Sequence, residues 1–538
     1  MGNSVSRRDM VRWSLMGGSL IGAGGMSAAV LAACSDDGTA GTASGSSLPG
    51  AVPSSTTPTM PATTMPGTAM PATTVPATIV GTTAPIDPTV PWWLQGNYAP
   101  VMQEVEATNL TIIGALPPEL TGLYVKNSSN PPRSDSPHWF FGDGMVHGLS
   151  LRDGKAEWYR NRYVQTEPYK AGLGFGKGAP GGGNNQSNVS CFWHGGRLLS
   201  SGEIGFPYEL SPTDVSTLGA HDYGGVLTGS FTAHPKLDPA TGRLHAFGYG
   251  FTAPFLQYYI IEPDGRMSHS EPIELPRSTM IHDFQITATD VIFWDMPVVF
   301  DLDLAIEYIN NPGSGTMPYQ WQPQYGSRIG VMPLAGGADQ IKWFDIDPCY
   351  VFHSVNAFRR GDEVVVDVCR LTSMFDNVGN GLGGDSSLRR WTINTATGTV
   401  ADTVLETVNP GDLPGRDPRR VGREHRYGYL TGTREHPNTV ELGNLIKHDF
   451  NSNSRTIWEP GPTRHASEPL FIPGDLADDA DDAGWLLSFV HDDATATTVL
   501  AVLDATDVAA GPVAEVVMPQ RVPYGFHATW IPAPGVSS

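Results

Sequence analysis

The sequence predicts an all-β protein, a seven-bladed β-propeller with loops and short helices over one face. Three observations carry that prediction. From Pro91 to the C-terminus, short apolar runs alternate with turn clusters, as in LRDGKAEWY, WHGGRLLSSGE, DPATGRLHAFGYGF, RRGDEVVVDVCRL and NTATGTVADTVLE. Glycine after Asp, Thr or Gly between two such runs is the tight-hairpin signal. No stretch sustains an apolar period of 3.6 residues, so helices should be few and short. The hairpins are also too many for one sandwich. Radial repetition hides the sheet edges at this size, and four strands with their loops per blade use up the length in about seven blades. No repeat motif such as a Trp-Asp dipeptide marks the blades, so the number rests on length.

The chain has 538 residues and a net charge of −22, with 33 Lys+Arg against 55 Asp+Glu. No basic stripe is present, which excludes nucleic acid as a partner, because phosphate binding needs clustered cations. The acidity reads as solubility. Residues 1–34 read as a targeting segment. Arg7 and Arg8 resemble a twin-arginine export signal, a Gly- and Ala-rich apolar stretch follows, and Leu31-Ala32-Ala33-Cys34 resembles a bacterial lipobox. The glycines and the small residues before Cys34 disfavour a transmembrane anchor. The expectation is an exported lipoprotein held at the outer face of the cytoplasmic membrane through acyl chains on Cys34, each buried CH₂ contributing about 0.8 kcal/mol. The twin-arginine route carries folded proteins, often with a cofactor already inserted. Residues 35–90, rich in Thr, Pro and Ala, bury little and read as a disordered linker; at roughly 3.1 Å per residue its polyproline-like parts would span over ~100 Å. The folded domain is then 91–538, read as a monomer. It contains Cys191, Cys349 and Cys369; Cys349 and Cys369 could pair, or all three could be buried thiols.

The segment TMIHDFQITATDVIFWDMPVV reads as a buried hairpin, and His282 and Asp283 interrupt it. A lone histidine there would be an ordinary core residue, but His234, His353 and His527 stand in similar positions, each beside an apolar run. The separations of 48, 71 and 174 residues assign each to a different blade. A propeller converges its innermost strands on one axis, so four imidazoles can meet at one point. Imidazole suits Fe(II), Cu and Zn. Four ligands leave two positions open on an octahedral iron, whereas zinc is more often closed tetrahedrally. Such histidines need carboxylates behind them to fix tautomer and orientation.

An ordered set of motifs supports the same reading: GLYVKNSSNPP at 122–132, HWFFGDGMVHGL, NRYVQTE, SNVSCFWHGGRLLSSGEIGFP at 187–207, FTAHPKLDP, TMIHDFQIT, VFHSVNAF, GRDPRRVGREHRYGY at 415–429, SEPLFIP and GFHATW. Together, over about residues 95–535, they resemble the carotenoid cleavage oxygenase family, which includes the lignostilbene dioxygenases. The resemblance implies a seven-bladed propeller with Fe(II) on its axis, held by His234, His282, His353 and His527. It further implies that the iron activates O₂ to cleave a conjugated carbon–carbon double bond into two carbonyls. The family's carboxylates match Glu203, Asp412 and Glu468, which would orient His282, His353 and His527 and leave His234 without one. Two positions depart from the family pattern. Asp412 stands where Glu is usual, one methylene shorter, and Phe141 in HWFFGDGM replaces an Asp. That turn is read as a loop shaped by Asp143 and Gly144, with His138 and His147 structural.

The substrate follows from one position. In the stilbene-cleaving branch a lysine precedes the first of these glutamates and shares a phenolic oxygen with an upstream tyrosine. Here Gly202 precedes Glu203, and Tyr163 is the matching tyrosine, a candidate substrate contact or a packing residue. The expectation is therefore an Fe(II) dioxygenase acting on an apolar polyene, a carotenoid or apocarotenoid, with O₂. The alternatives are cleavage of stilbene or phenylpropenoid double bonds, or a non-catalytic extracytoplasmic binding propeller.

Overall fold

The structure is a computed structural model that describes residue 87 and residues 89–533, apart from 134–135, 137, 175–181, 183–184, 312–316, 377–382, 437–438 and 475–479. Arg7, Arg8, Cys34 and nearly all of the 35–90 linker lie outside the described residues.

Hairpins form where the sequence predicts them. Gly144–Arg152 turns into Lys155–Tyr163 through Asp153 and Gly154, both left-handed at φ 48° and 73°. Two positive-φ residues match the right-handed twist of the flanking strands, and Asp-Gly adopts them at little cost. Repetition of this unit gives seven sheets of four or more strands among the described residues. Blade I is Glu106–Thr108, Lys155–Tyr163, Gly144–Arg152, Gly122–Ser129 and Ala528–Pro532. Blade II begins with Ser190–His194, blade III with Lys236–Leu237, blade IV with Gln285–Ile286, blade V with Tyr350–Arg360 and blade VI with Asp412–Gly415. Blade VII begins with Arg464–Ala466 and Leu470–Pro473, both paired with Gly484–Asp492. The predicted seven-bladed all-β fold is the observed one.

Both chain ends close the ring. Gly122–Ser129 pairs with Ala528–Pro532, and Ile112–Gly114 pairs with Pro512–Val517. Each closure joins strands about 400 residues apart in sequence, so the ring is complete only once the last strand is in place. In blade I the strand Gly122–Ser129 lies between Ala528–Pro532 and Gly144–Arg152, and all eight of its residues are buried. The α-helices described are short, Glu167–Lys170 and Leu302–Asn310. The second is capped by Asp301, whose carboxylate accepts from the Asp303 and Leu304 N–H groups at 2.9 and 3.1 Å. It is carried by an extra hairpin, Val298–Phe300 with Tyr319–Trp321, inserted in blade IV. No described helix is long and apolar enough to cross a membrane. Cys191, Cys349 and Cys369 are buried free thiols, so Cys349 and Cys369 are not paired.

Candidate metal centre

The inner strands of blades III, IV and V each present a histidine at or just before their first residues. His234 precedes Lys236–Leu237, His282 precedes Gln285–Ile286, and His353 lies in Tyr350–Arg360. His527 immediately precedes Ala528–Pro532 of blade I. The four rings converge. Their ligand nitrogens lie within 4.8 Å of one another, with Nε2 of His282 2.9 Å from that of His234 and 3.3 Å from that of His353.

The opposite side of three rings is tied down. His282 Nδ1 donates to Glu203, His353 Nδ1 to Asp412 at 2.8 Å, and His527 Nδ1 to Glu468 at 2.7 Å. These are the three carboxylates the sequence named. His234 has no carboxylate partner among the described residues, and its backbone N–H donates to Thr232 Oγ1 at 2.9 Å. With the proton fixed on Nδ1, each Nε2 turns a lone pair toward the common point. These Nε2 atoms face one another, with His282 in contact with His234 and His353, and His527 Nε2 is buried without a partner. Facing lone pairs repel, so the arrangement calls for a cation. Two nitrogens at right angles on a metal, with bonds of about 2.1 Å, stand about 3 Å apart, which matches the spacing seen. The donor set therefore fits a divalent transition metal.

Electrostatics keeps two of the ligands, His234 and His527, neutral. Burial, then the adjacent His527, His282 and His353, hold the His234 pKa well below the usual imidazole value. Burial does the same for His527, with His353 and His282 adding to it. Burial also opposes charge on His282, but contact with Glu203 outweighs it and raises that group. Burial pushes the Glu468 carboxyl up to about 7 and the Lys126 ammonium down to about 8; Lys126 sits behind the site and donates to Ser467 Oγ at 2.8 Å.

Asp412 reaches its imidazole directly despite the missing methylene. The backbone on either side of it is left-handed, Gly411 at φ 78° and Leu413 at φ 51°, and the strand is bulged between Asp412 and Gly415. A bulge re-aims a side chain, and a leucine in this conformation is uncommon enough to mark a constraint. The Leu413 N–H also donates to Asp412 Oδ1 at 2.8 Å.

The structure gives Asp283 a role that sequence reasoning did not assign and adds Lys236, Ser354 and Tyr249, which it missed. Asp283 accepts from Lys236 Nζ at 2.6 Å on one oxygen, and from the Ser354 N–H at 3.0 Å and Ser354 Oγ at 2.5 Å on the other. One buried carboxylate thus links the inner strands of blades III, IV and V next to three of the histidines. Lys236, Asp283 and Ser354 each fall one or two positions after a site histidine, a regularity visible in sequence. Tyr249, whose hydroxyl donates to Glu203, had no such signal.

Aromatic rings wall the centre. Phe352 meets His282 edge-on at 5.1 Å, and Phe140 packs on Phe352 and Phe526 at 5.9 and 6.0 Å. The HWFF turn supplies Phe140. His138 Nδ1 accepts from the Phe140 N–H at 3.2 Å, and Asn188 Nδ2 donates to the Phe140 and Gly142 carbonyls at 2.9 and 2.7 Å. His147 bonds Tyr159 at 2.8 Å, so both histidines of this motif are structural. Tyr163 stacks on Tyr169 at 4.8 Å, and its hydroxyl accepts from Asn130 at 2.6 Å, which is a packing role.

A seven-bladed propeller with four axial histidines, three of them backed by carboxylates, defines a class of metal-site protein, and comparison with known proteins narrows it. Residues 98–532 match the family model described as retinal pigment epithelial membrane protein. A carotenoid cleavage oxygenase of Mycobacterium tuberculosis is 38% identical over 82% of this chain and 97% of its own length. Carotenoid 9,10(9',10')-cleavage dioxygenase 1 of Arabidopsis thaliana is 34% identical over 82% of this chain and 89% of its own. Among solved structures, the lignostilbene dioxygenase of Pseudomonas brassicacearum superposes with a TM-score of 0.74 at 28% identity, covering 84% of this chain and 100% of that one. A cobalt-substituted apocarotenoid oxygenase of Synechocystis gives 0.71 at 26% identity, covering 81% and 97%. The chain belongs to the carotenoid cleavage oxygenase family.

Proposed function

We propose that this protein is an Fe(II)-dependent dioxygenase that cleaves a conjugated carbon–carbon double bond of a carotenoid or apocarotenoid with O₂. The observation that carries the reading is the convergence of four Nε2 lone pairs from four inner strands, with three Nδ1 protons tied to carboxylates. Curated relatives that are carotenoid cleavage dioxygenases support the same activity. His234, His282, His353 and His527 would hold the metal, and Glu203, Asp412 and Glu468 would orient three of them. When bound, Fe(II) activates O₂ for addition to an alkene. The reaction balances without a further reductant: both bonds of the C=C break and each carbon takes one oxygen atom.

The chain's own residues do the rest. The carboxylates keep the proton on Nδ1 of His282, His353 and His527, so that Nε2 is always the free end. Phe140, Phe352 and Phe526 offer π-faces and edges to an apolar polyene and keep water from the reacting carbons. Gly202 supplies no cation beside Glu203, and the Tyr163 hydroxyl is already engaged, which favours a polyene over a phenolic stilbene. Export by the twin-arginine route and lipidation at Cys34 complete the proposal, on the N-terminal motifs, with the domain acting as a monomer.

Mass spectrometry of products from the Fe(II)-loaded protein under ¹⁸O₂ tests it, with a carotenoid, an apocarotenal and a 4-hydroxystilbene as substrates. Labelled aldehydes or ketones from the polyenes are expected. Labelled aldehyde from the stilbene alone would overturn the substrate assignment. No product from any of the three, with iron bound, would overturn the enzyme and leave a binding propeller.

A further inference from the structure

Away from the four histidines, Glu441, His465 and Asp493 bring three further ligand atoms within 4.8 Å of one another. Glu441 lies on Thr439–Asp449 of blade VI, while His465 lies on Arg464–Ala466 and Asp493 just after Gly484–Asp492, both in blade VII. His465 is fully buried, and Glu441 and Asp493 expose 12% and 17% of their side chains, which leaves a path from solvent.

The imidazole is already oriented as a ligand. His465 Nδ1 donates to the Leu442 carbonyl at 3.0 Å, the bond that fixes tautomer and ring plane in many metal sites. Nε2 then points at Asp493 Oδ2, 2.8 Å away. With one proton on the ring, a lone pair would face a carboxylate oxygen, so the contact needs either a metal ion beside it or a second ring proton. Burial opposes that proton and Asp493 and Glu441 favour it, the balance raising the His465 pKa. His491 Nε2, 3.4 Å from Asp493 Oδ1, is a fourth donor on the other side of the same carboxylate.

Arg434 lies within Coulombic reach of Glu441 and Asp493, but the hydrogen bonds of the nearby guanidinium groups go elsewhere. Arg434, the cross-strand partner of Glu441, donates to the Gly461 and Pro462 carbonyls at 2.8 and 3.3 Å and lies beside Glu459. Arg521 donates to the Asn97, Ala99 and Pro100 carbonyls. The Tyr524 hydroxyl is buried without a hydrogen-bond partner in the field of Glu441 and Asp493. With His465 neutral, the two carboxylates leave the cluster at a formal charge of −2.

We propose that Glu441, His465 and Asp493, with His491 as a fourth donor, bind a second divalent cation that pins blade VI to blade VII. Two carboxylates with one or two imidazoles suit Zn²⁺ or Mn²⁺ and do not suit a soft ion such as Cu(I). The alternative cation is a second proton on His465, held between Asp493 and Glu441.

The test is metal stoichiometry of the full chain after equilibrium dialysis against Zn²⁺. The wild type should bind two equivalents. The Glu441→Gln/Asp493→Asn variant should bind one, and His353→Ala/His527→Ala should keep the other. Should the variants fail to fold, ¹¹³Cd NMR of the wild type gives the same answer, two resonances in distinct nitrogen-rich and oxygen–nitrogen environments being expected. One equivalent and one resonance, with ¹⁵N NMR finding both nitrogens of His465 protonated, would overturn the site in favour of the proton. A second equivalent that persists in Glu441→Gln/Asp493→Asn would overturn it in favour of surface binding.

Discussion

Truncating Asp412 isolates the contact at which this chain departs from its family. In the folded protein Asp412 Oδ1 accepts His353 Nδ1 at 2.8 Å and the Leu413 N–H at 2.8 Å. Asp412→Ala removes a hydrogen bond to a charged acceptor, worth about 1.5–3 kcal/mol. His353 then loses both its fixed tautomer and its ring plane. At about 1.4 kcal/mol per tenfold, the loss corresponds to roughly 12- to 150-fold weaker metal binding, in line with the tenfold to hundredfold typical of such partners. Asp412→Asn keeps an acceptor oxygen but not its charge. A neutral hydrogen bond retains about 1 kcal/mol, so this variant should fall between wild type and Asp412→Ala. The assay is Co²⁺ affinity by competition with a chelator, read with the visible spectrum of the bound ion. Wild-type affinity in Asp412→Ala would refute the reasoning, because the His353 ring would then be held by something else. Asp412→Glu is expected to weaken binding too, since a direct contact leaves no gap for another methylene.

Three further outcomes follow from the same structure. Asp283→Asn leaves Lys236 buried without its counter-charge and should destabilise the protein by about 3–5 kcal/mol; a shift in the denaturant midpoint of less than a quarter of that would mean the link across blades III–V is dispensable. Burial holds His138, His245 and His491 at about 4 and His147 and His425 at about 3, below the ordinary 6.5. Between about pH 6.5 and 4.5 the unfolded chain therefore binds more protons at these sites, each contributing about 1.4 kcal/mol of lost stability per pH unit as pH falls. Glu468, Glu441, Asp367, His282 and His465 are raised and act in the opposite sense. His194, His221, His234, His448 and His527 are lowered as well, so the depressed histidines outnumber them. Tm should fall on acidification through this window, and a flat or rising Tm would contradict the burial assignments. Gly202→Lys should fold normally, because a Cβ there meets nothing closer than the Ser187 backbone nitrogen at 3.5 Å and has the side-chain Oδ1 atoms of Asn185 and Asn188 at 3.7 Å. It should also gain turnover of 4-hydroxystilbene relative to the polyenes; a variant that folds without that gain would separate the lysine position from substrate choice.

The comparison of sequence and structure turns on which residues are set by local pattern and which by convergence. Asp153-Gly154 dictates its own hairpin, and runs such as VVVDV dictate buried strands, so the class of fold was legible without coordinates. The four histidines were legible too, because each stands beside an apolar run, and motif resemblance named Glu203, Asp412 and Glu468. Three things were decided only by tertiary structure. The reach of Asp412 depends on a bulge and on two left-handed residues, which side-chain length alone does not foretell. The carboxylate of Asp283 joins Lys236 and Ser354, 47 and 71 residues away along the chain, and Tyr249 meets Glu203 across two blades. The group of Glu441, His465 and Asp493 exists only because blade VI lies against blade VII. Local sequence sets backbone preference within a few residues through sterics and hydrogen bonding, whereas ring closure sets which side chains from distant blades share one buried volume.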